Sequence, residues 1–138
     1  AKRLAGAGNF FGAMRECADR GAFIYGECGG YMVLGRSLTD ANGEAQPMLG
    51  LLPVETSFAT RKLNLGYRQV TLADDCALGR AATIFRGHEF HFASVVAQDP
   101  ADTLFHAANA EGKRIGLSGL RVNSVMGSFI HLVDQHSG

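Results

Sequence analysis

The sequence predicts an α/β domain with an open, mostly parallel sheet flanked by helices, and three observations carry that expectation. First, an amphipathic helical stretch leads into a short apolar strand, a glycine-rich turn and a second helical start, the α-β-turn-α order of such sheets. Second, the turn Gly26-Glu27-Cys28-Gly29-Gly30 has the G-x-nucleophile-x-G spacing of a strand-to-helix elbow, with cysteine at its centre. Third, 18 glycines in 138 residues imply many tight turns and close backbone approaches.

The length suits one domain with a real core. Apolar content of 46% with 19% charged residues is ordinary for a globular chain. Thirteen basic and 13 acidic residues cancel, which argues against nucleic acid or an anionic membrane as partner. No apolar stretch approaches the ~20 residues needed to span a bilayer. Cys17, Cys28 and Cys76 are an odd, widely spaced set without a C-x-x-C pair or a secretory apolar segment. Reduced thiols in a cytoplasmic location follow, and a zinc ribbon does not.

In chain order, residues 4–19 place Leu4, Ala7, Phe11, Met14 and Ala18 on one helical face, with Gly21 as the stop. Cys17 is expected near that buried face, as packing. Phe23-Ile24-Tyr25 is a buried strand by composition, and Tyr31-Met32-Val33-Leu34 restarts a helix beyond the turn. Asp40–Glu44 reads as a solvent loop, Met48–Val54 as an apolar segment stopped by proline, and 56–63 as an irregular connection. Leu65–Leu72 and Ala82–Phe92 are strands, the second with an unusually polar end, and Thr103–Ala107 is a weaker one. Asn109–Lys113 has hairpin-turn chemistry, 116–122 continues as strand or loop, and 123–132 is an apolar run that delivers His131.

The chemistry centres on Cys28. A strained turn between glycines would lift its sulfur above the sheet edge at a helix N-terminus, where the dipole favours thiolate. An inert core cysteine is the plain alternative, but glycines at −2, +1 and +2 call for a reason that a reactive turn supplies. The thiol needs a base, and among His88, His91, His106, His131 and His136 the position of His131 at the end of an apolar run serves best. His88 and His91 fall on opposite faces of a strand. A metal site of Cys28, His88 and Glu89 therefore lacks a second ligand pair, and no metal is expected. His88 and Glu89 are instead candidates for organising a polar site.

Tyr25–Gly35 resembles the nucleophile segment of the cobyrinic acid a,c-diamide synthases. The resemblance continues through Pro47–Pro53, Leu65-Gly66-Tyr67-Arg68, Leu78-Gly79-Arg80, Arg86–His91 and Gly127–Leu132, in order across nearly the whole chain. It covers the C-terminal glutamine amidotransferase domain of that family, and so implies a class I amidotransferase fold of flavodoxin-like type. It further implies that residues 1–138 are the glutaminase part of an ATP-dependent ligase of cobalamin biosynthesis, truncated at the N-terminus. ATP and Mg2+ would bind an absent synthetase domain, since no G-x-x-x-x-G-K-[ST] occurs here, and this domain would need no cofactor. The family's glycine-rich loop ahead of the first helix, which would supply half of the oxyanion hole, is also missing, so the fragment need not be active alone.

By the same resemblance Cys28 attacks the amide of glutamine, the Gly29 N–H holds the oxyanion, and His131 protonates the departing ammonia. The ammonia would pass to the synthetase domain and amidate the a and c carboxylates of a corrinoid acceptor, cobyrinic or hydrogenobyrinic acid. Related amidotransferases carry a glutamate two residues beyond the histidine. Val133 stands there in this chain and Asp134 is one residue off register, leaving the third member of the triad open. A cobyric acid synthase-type enzyme, another cysteine hydrolase and a non-catalytic docking domain of the same fold are the alternatives. A homo-oligomer is compatible with this reading.

Overall fold

A computed structural model of the chain describes residues 8–59 and 63–136. Helix α1, Gly8–Asp19, is followed by strand β1, Ile24–Glu27, and the one-and-a-half-turn helix α2, Gly29–Leu34. Strands β2 (Ser37–Thr39), β3 (Ala45–Pro47), β4 (Val54–Ser57), β5 (Asn64–Leu72), β6 (Ile84–His91) and β7 (Ser94–Gln98) come next. The chain ends with β8 (Asp102–Asn109), β9 (Arg114–Val122), β10 (Val125–Ser128) and β11 (His131–His136).

Helix α1 follows the predicted periodicity. Phe11 is buried, and Met14 and Ala18 pack against the core; Leu4 and Ala7 lie outside the described residues. Gly21, at φ 80°, ends the helix, with Gly21 N–H donating to the Ala18 carbonyl and Ala22 N–H to that of Cys17, a Schellman stop. Cys17 is exposed, contrary to expectation. It sits about 120° round the helix from Phe11, outside the narrow Phe11–Met14–Ala18 stripe.

The strands form a seven-stranded sheet in the order β1-β10-β9-β8-β5-β6-β11 and a four-stranded sheet in the order β3-β2-β4-β7. The mostly parallel, flavodoxin-like sheet expected from the sequence is not what forms. In the larger sheet only β1 and β10 pair parallel, and every other neighbour is antiparallel; β2 and β4 are the parallel pair of the smaller one. Short links decide this, because a parallel crossover needs a dozen or more residues and usually a helix. Between β8 and β9 runs a tight turn in which Asn109 Oδ1 accepts the N–H groups of Glu111 and Lys113. Among the described residues no helix follows α2.

The apolar segment at 48–52 is not a strand. It wraps the end of α2, with Leu49 N–H donating to the Val33 carbonyl and both Leu51 and Leu52 N–H to that of Leu34. Carbonyls that a short helix leaves orphaned are satisfied there. Arg15 of α1 donates to the Leu49 carbonyl at 3.0 Å, fastening the first helix to the same segment. One core cluster joins Phe11, Tyr31, Leu34, Leu52, Val54, Leu120 and Phe129; a second gathers Val70, Leu72, Phe85, Phe105, Met126 and Ile130. Among the described residues no helix is long and apolar enough to cross a membrane.

Candidate active site

Residues 26–28 form the predicted elbow. β1 runs beside β10 with Gly26 opposite Gly127 and Glu27 opposite Ser128, and the chain then reverses at Cys28, φ 52° and ψ −109°. A residue with a Cβ holds that geometry only where its surroundings impose it. Here Cys28 N–H donates to the Ser128 carbonyl at 2.9 Å, and its own carbonyl accepts Met32 N–H at 3.1 Å. The three bracketing glycines have different roles. A Cβ on Gly26 would stand 2.7 Å from the Gly30 carbonyl carbon and oxygen, whereas one on Gly29 or Gly30 would meet nothing within 4 Å. Gly26 lets strand and helix touch; Gly29 and Gly30 are exposed and face open space.

Cys28 is half-buried, neither sealed in the core nor fully solvated. Burial pushes its thiol pKa up; the Gly29 N–H hydrogen bond pulls the other way, and the charges of Glu27 and Glu89 add to the rise. The thiolate expected from a helix N-terminus is thus outweighed. A six-residue helix carries few aligned peptide dipoles, and the charges of Glu27 and Glu89 oppose ionisation of the sulfur. The resting group is a thiol that needs a base.

His131 opens β11, and its Nδ1 lies 3.6 Å from Oε1 of Glu27, the residue directly before Cys28. Glu27 is held on its other oxygen, which accepts Leu132 N–H at 2.7 Å and the Tyr25 hydroxyl at 3.0 Å. Cross-strand from His131 is His88, and the two rings lie 5.3 Å apart between centroids. The structure therefore brings Glu27, His131 and His88 together, with Cys28 the next residue after Glu27 in the chain.

Glu89 does not join His88. Strand alternation puts His88 on the exposed face of β6 and Glu89 with His91 on the other. Glu89 Oε1 accepts from Arg68 Nε and Oε2 contacts His91 Nε2, both at 2.8 Å. Burial would raise the Glu89 pKa, but the hydrogen bonds from His91 and Arg68, with their charges, win and hold it below the usual carboxylate range. His91 in turn stacks on Phe129, centroids 4.0 Å apart, so this cluster braces the loop that carries β10 into β11. Among the described residues no group of three or more His, Cys, Asp or Glu is placed to hold a metal ion. Sequence reasoning missed Glu27, Arg68 and His91. The i,i+2 spacing of Glu89 and His91 in a strand was the available signal for one pair, while Glu27 is joined to His131 only by tertiary structure.

Residues 2–137 match the family described as CobB/CobQ-like glutamine amidotransferase domain. The chain is 53% identical over 138 residues to a hydrogenobyrinate a,c-diamide synthase of Brucella abortus biovar 1 (strain 9-941), covering 97% of this chain and 30% of that protein. Identity to the enzyme of the same name from Rhizobium meliloti (strain 1021) is 49% over 138 residues, with 97% and 30% covered. The chain thus spans under a third of the length of these relatives. A solved structure titled as a crystal structure of glutamine amidotransferase superposes with a TM-score of 0.59 at 19% identity, covering 88% of this chain and 58% of that one, and shares the fold.

Proposed function

The chain belongs to the CobB/CobQ-like glutamine amidotransferase family, and we propose that Cys28 is the nucleophile with which it splits glutamine and His131 the base that serves it. The observation that supports this is a strained, half-buried cysteine whose preceding residue, Glu27, lies 3.6 Å from the His131 ring. Because burial and two carboxylates keep the sulfur protonated, His131 takes the thiol proton as the sulfur attacks the glutamine side-chain amide. The tetrahedral oxyanion is held by the Gly29 N–H, which already lies at the sulfur, and the same imidazolium gives its proton to the departing ammonia. A water, deprotonated by His131, then opens the thioester and releases glutamate.

Relatives 49–53% identical carry the name hydrogenobyrinate a,c-diamide synthase, which favours hydrogenobyrinic over cobyrinic acid as the acceptor of the ammonia. The amidation would occur in a synthetase portion corresponding to the rest of those longer relatives. No phosphate-binding loop is present in residues 1–138, so ATP and Mg2+ are assigned to that portion and no step here passes through them. Cys17, Cys28 and Cys76 are all free, in keeping with a reducing, cytoplasmic location. In the intact enzyme His131→Ala should abolish amidation driven by glutamine and spare that driven by added ammonia; loss of both would make His131 structural.

A further inference from the structure

We propose that Glu27 is the positioning carboxylate for His131, reaching it from the residue directly before the nucleophile and not from two residues after the histidine. The assignment rests on the glutaminase function proposed above. Glu27 has no rotational freedom to spare: Oε2 is tied to Leu132 N–H and to the Tyr25 hydroxyl, so Oε1 is left facing His131 Nδ1 at 3.6 Å. Burial, and next the Glu27 charge, raise the pKa of Tyr25, so that hydroxyl keeps its proton and remains a donor. A carboxylate at Nδ1 holds the ring proton there and leaves the Nε2 lone pair to receive the thiol proton. The gap exceeds a hydrogen bond by about half an ångström, a slack that resting catalytic sites commonly close when substrate binds.

The rival carboxylate is Asp134, and the fold treats it differently. A register shift between Leu132 and Asp134 sets Asp134 opposite Arg86 as His131 is opposite His88, which brings it onto the histidine's face despite its offset in sequence. Its Oδ1 accepts Arg86 Nε at 3.2 Å, and the side chain is 54% exposed. That carboxylate is engaged with a cation in solvent, whereas Glu27 is more than two-thirds buried at its side chain and fixed by two donors.

Glu27→Gln in the intact enzyme separates positioning from support. Its single carbonyl oxygen can keep the Leu132 bond while its amide turns an N–H toward Nδ1, which reverses the favoured tautomer. Glutamine hydrolysis should fall about 10²–10⁴-fold, with ammonia-dependent amidation within about twofold of wild type. In 15N-histidine NMR spectra, with the signal assigned by its loss in His131→Asn, the ring proton should sit on Nδ1 in wild type and move to Nε2 in the variant. Asp134→Asn should leave both readouts unchanged. Wild-type glutaminase activity in Glu27→Gln, an unaltered tautomer, or an equal loss in Asp134→Asn would overturn the assignment. Glutaminase activity that survives Cys28→Ala would sink the nucleophile reading instead, and the tautomer, which needs no turnover, would still decide for or against Glu27.

Discussion

Replacing Gly26 with alanine presses a methyl group into the elbow itself, and the structure sets the size of the effect. The new Cβ would stand 2.7 Å from the backbone of Gly30 and 2.8 Å from Leu34 Cδ1, about an ångström inside the optimal carbon contact. Leu34 is 3% exposed and cannot swing into solvent, and Gly30 is backbone in the first turn of α2. The helix must therefore move off β1, and Cys28 with it. Overpacking of this kind costs about 1–3 kcal/mol, and the backbone clash places Gly26→Ala near 3. Thermal unfolding should show a midpoint lower by roughly 10 °C. Gly30→Ala is the control: its Cβ meets nothing within 4 Å, and alanine gains up to about 1 kcal/mol over glycine inside a helix. A Gly26→Ala midpoint within about 2 °C of wild type, or an equal loss in Gly30→Ala, would refute the steric account of the elbow.

Further outcomes follow from the same contacts. Glu89, held below the usual carboxylate range by His91 and Arg68, contributes stability that is present above the unfolded carboxylate value of about 4.3 and is lost as pH falls through the lower folded one. Glu89→Gln should therefore destabilise by roughly 1–3 kcal/mol at neutral pH, with the gap closing below about pH 4; a gap constant in pH would contradict this. Iodoacetamide alkylation of Cys28 without glutamine should rise with pH around a midpoint above the ordinary thiol range, because burial and two carboxylates raise its pKa. Glu89→Gln should lower that midpoint, and a wild-type midpoint near pH 7 would be incompatible with the resting thiol. Gly87→Ala would drive a Cβ into the His131 carbonyl and to 2.9 Å from Ile130 Cγ2. It should displace β11 and reduce glutamine-dependent turnover at least tenfold, with ammonia-dependent turnover as the reference.

Local chemistry was legible in the sequence, and long-range pairing was not. Glycine spacing located the elbow at Cys28, strand periodicity correctly separated His88 from His91, and Asn109–Lys113 was recognisable as a hairpin turn. Each of those depends on neighbours in the chain. The sheet was misread because an α-β-turn-α opening looks alike whether the strands that follow return by helices or by hairpins, and here they return by hairpins. Glu27 went unseen as a partner of His131 because 104 positions separate them; only the parallel pairing of β1 with β10 brings them together. Asp134 illustrates the reverse case. Out of register in sequence, it is restored by a bulge at Val133 that no local pattern announces, yet Arg86 occupies it. Helix polarity suggested a thiolate at Cys28, but the carboxylates that oppose it come partly from β6, across the fold.

Labelling of the intact enzyme with a diazo-ketone analogue of glutamine bears most directly on the central claim. Cys17 is exposed and Cys28 half-buried, so a reagent acting by access alone would favour Cys17. Peptide mapping should find the adduct on Cys28 alone, and excess glutamine should protect it. An adduct on Cys17 or Cys76, or an unmodified Cys28 in enzyme that still turns over glutamine, would contradict a glutaminase built on this elbow.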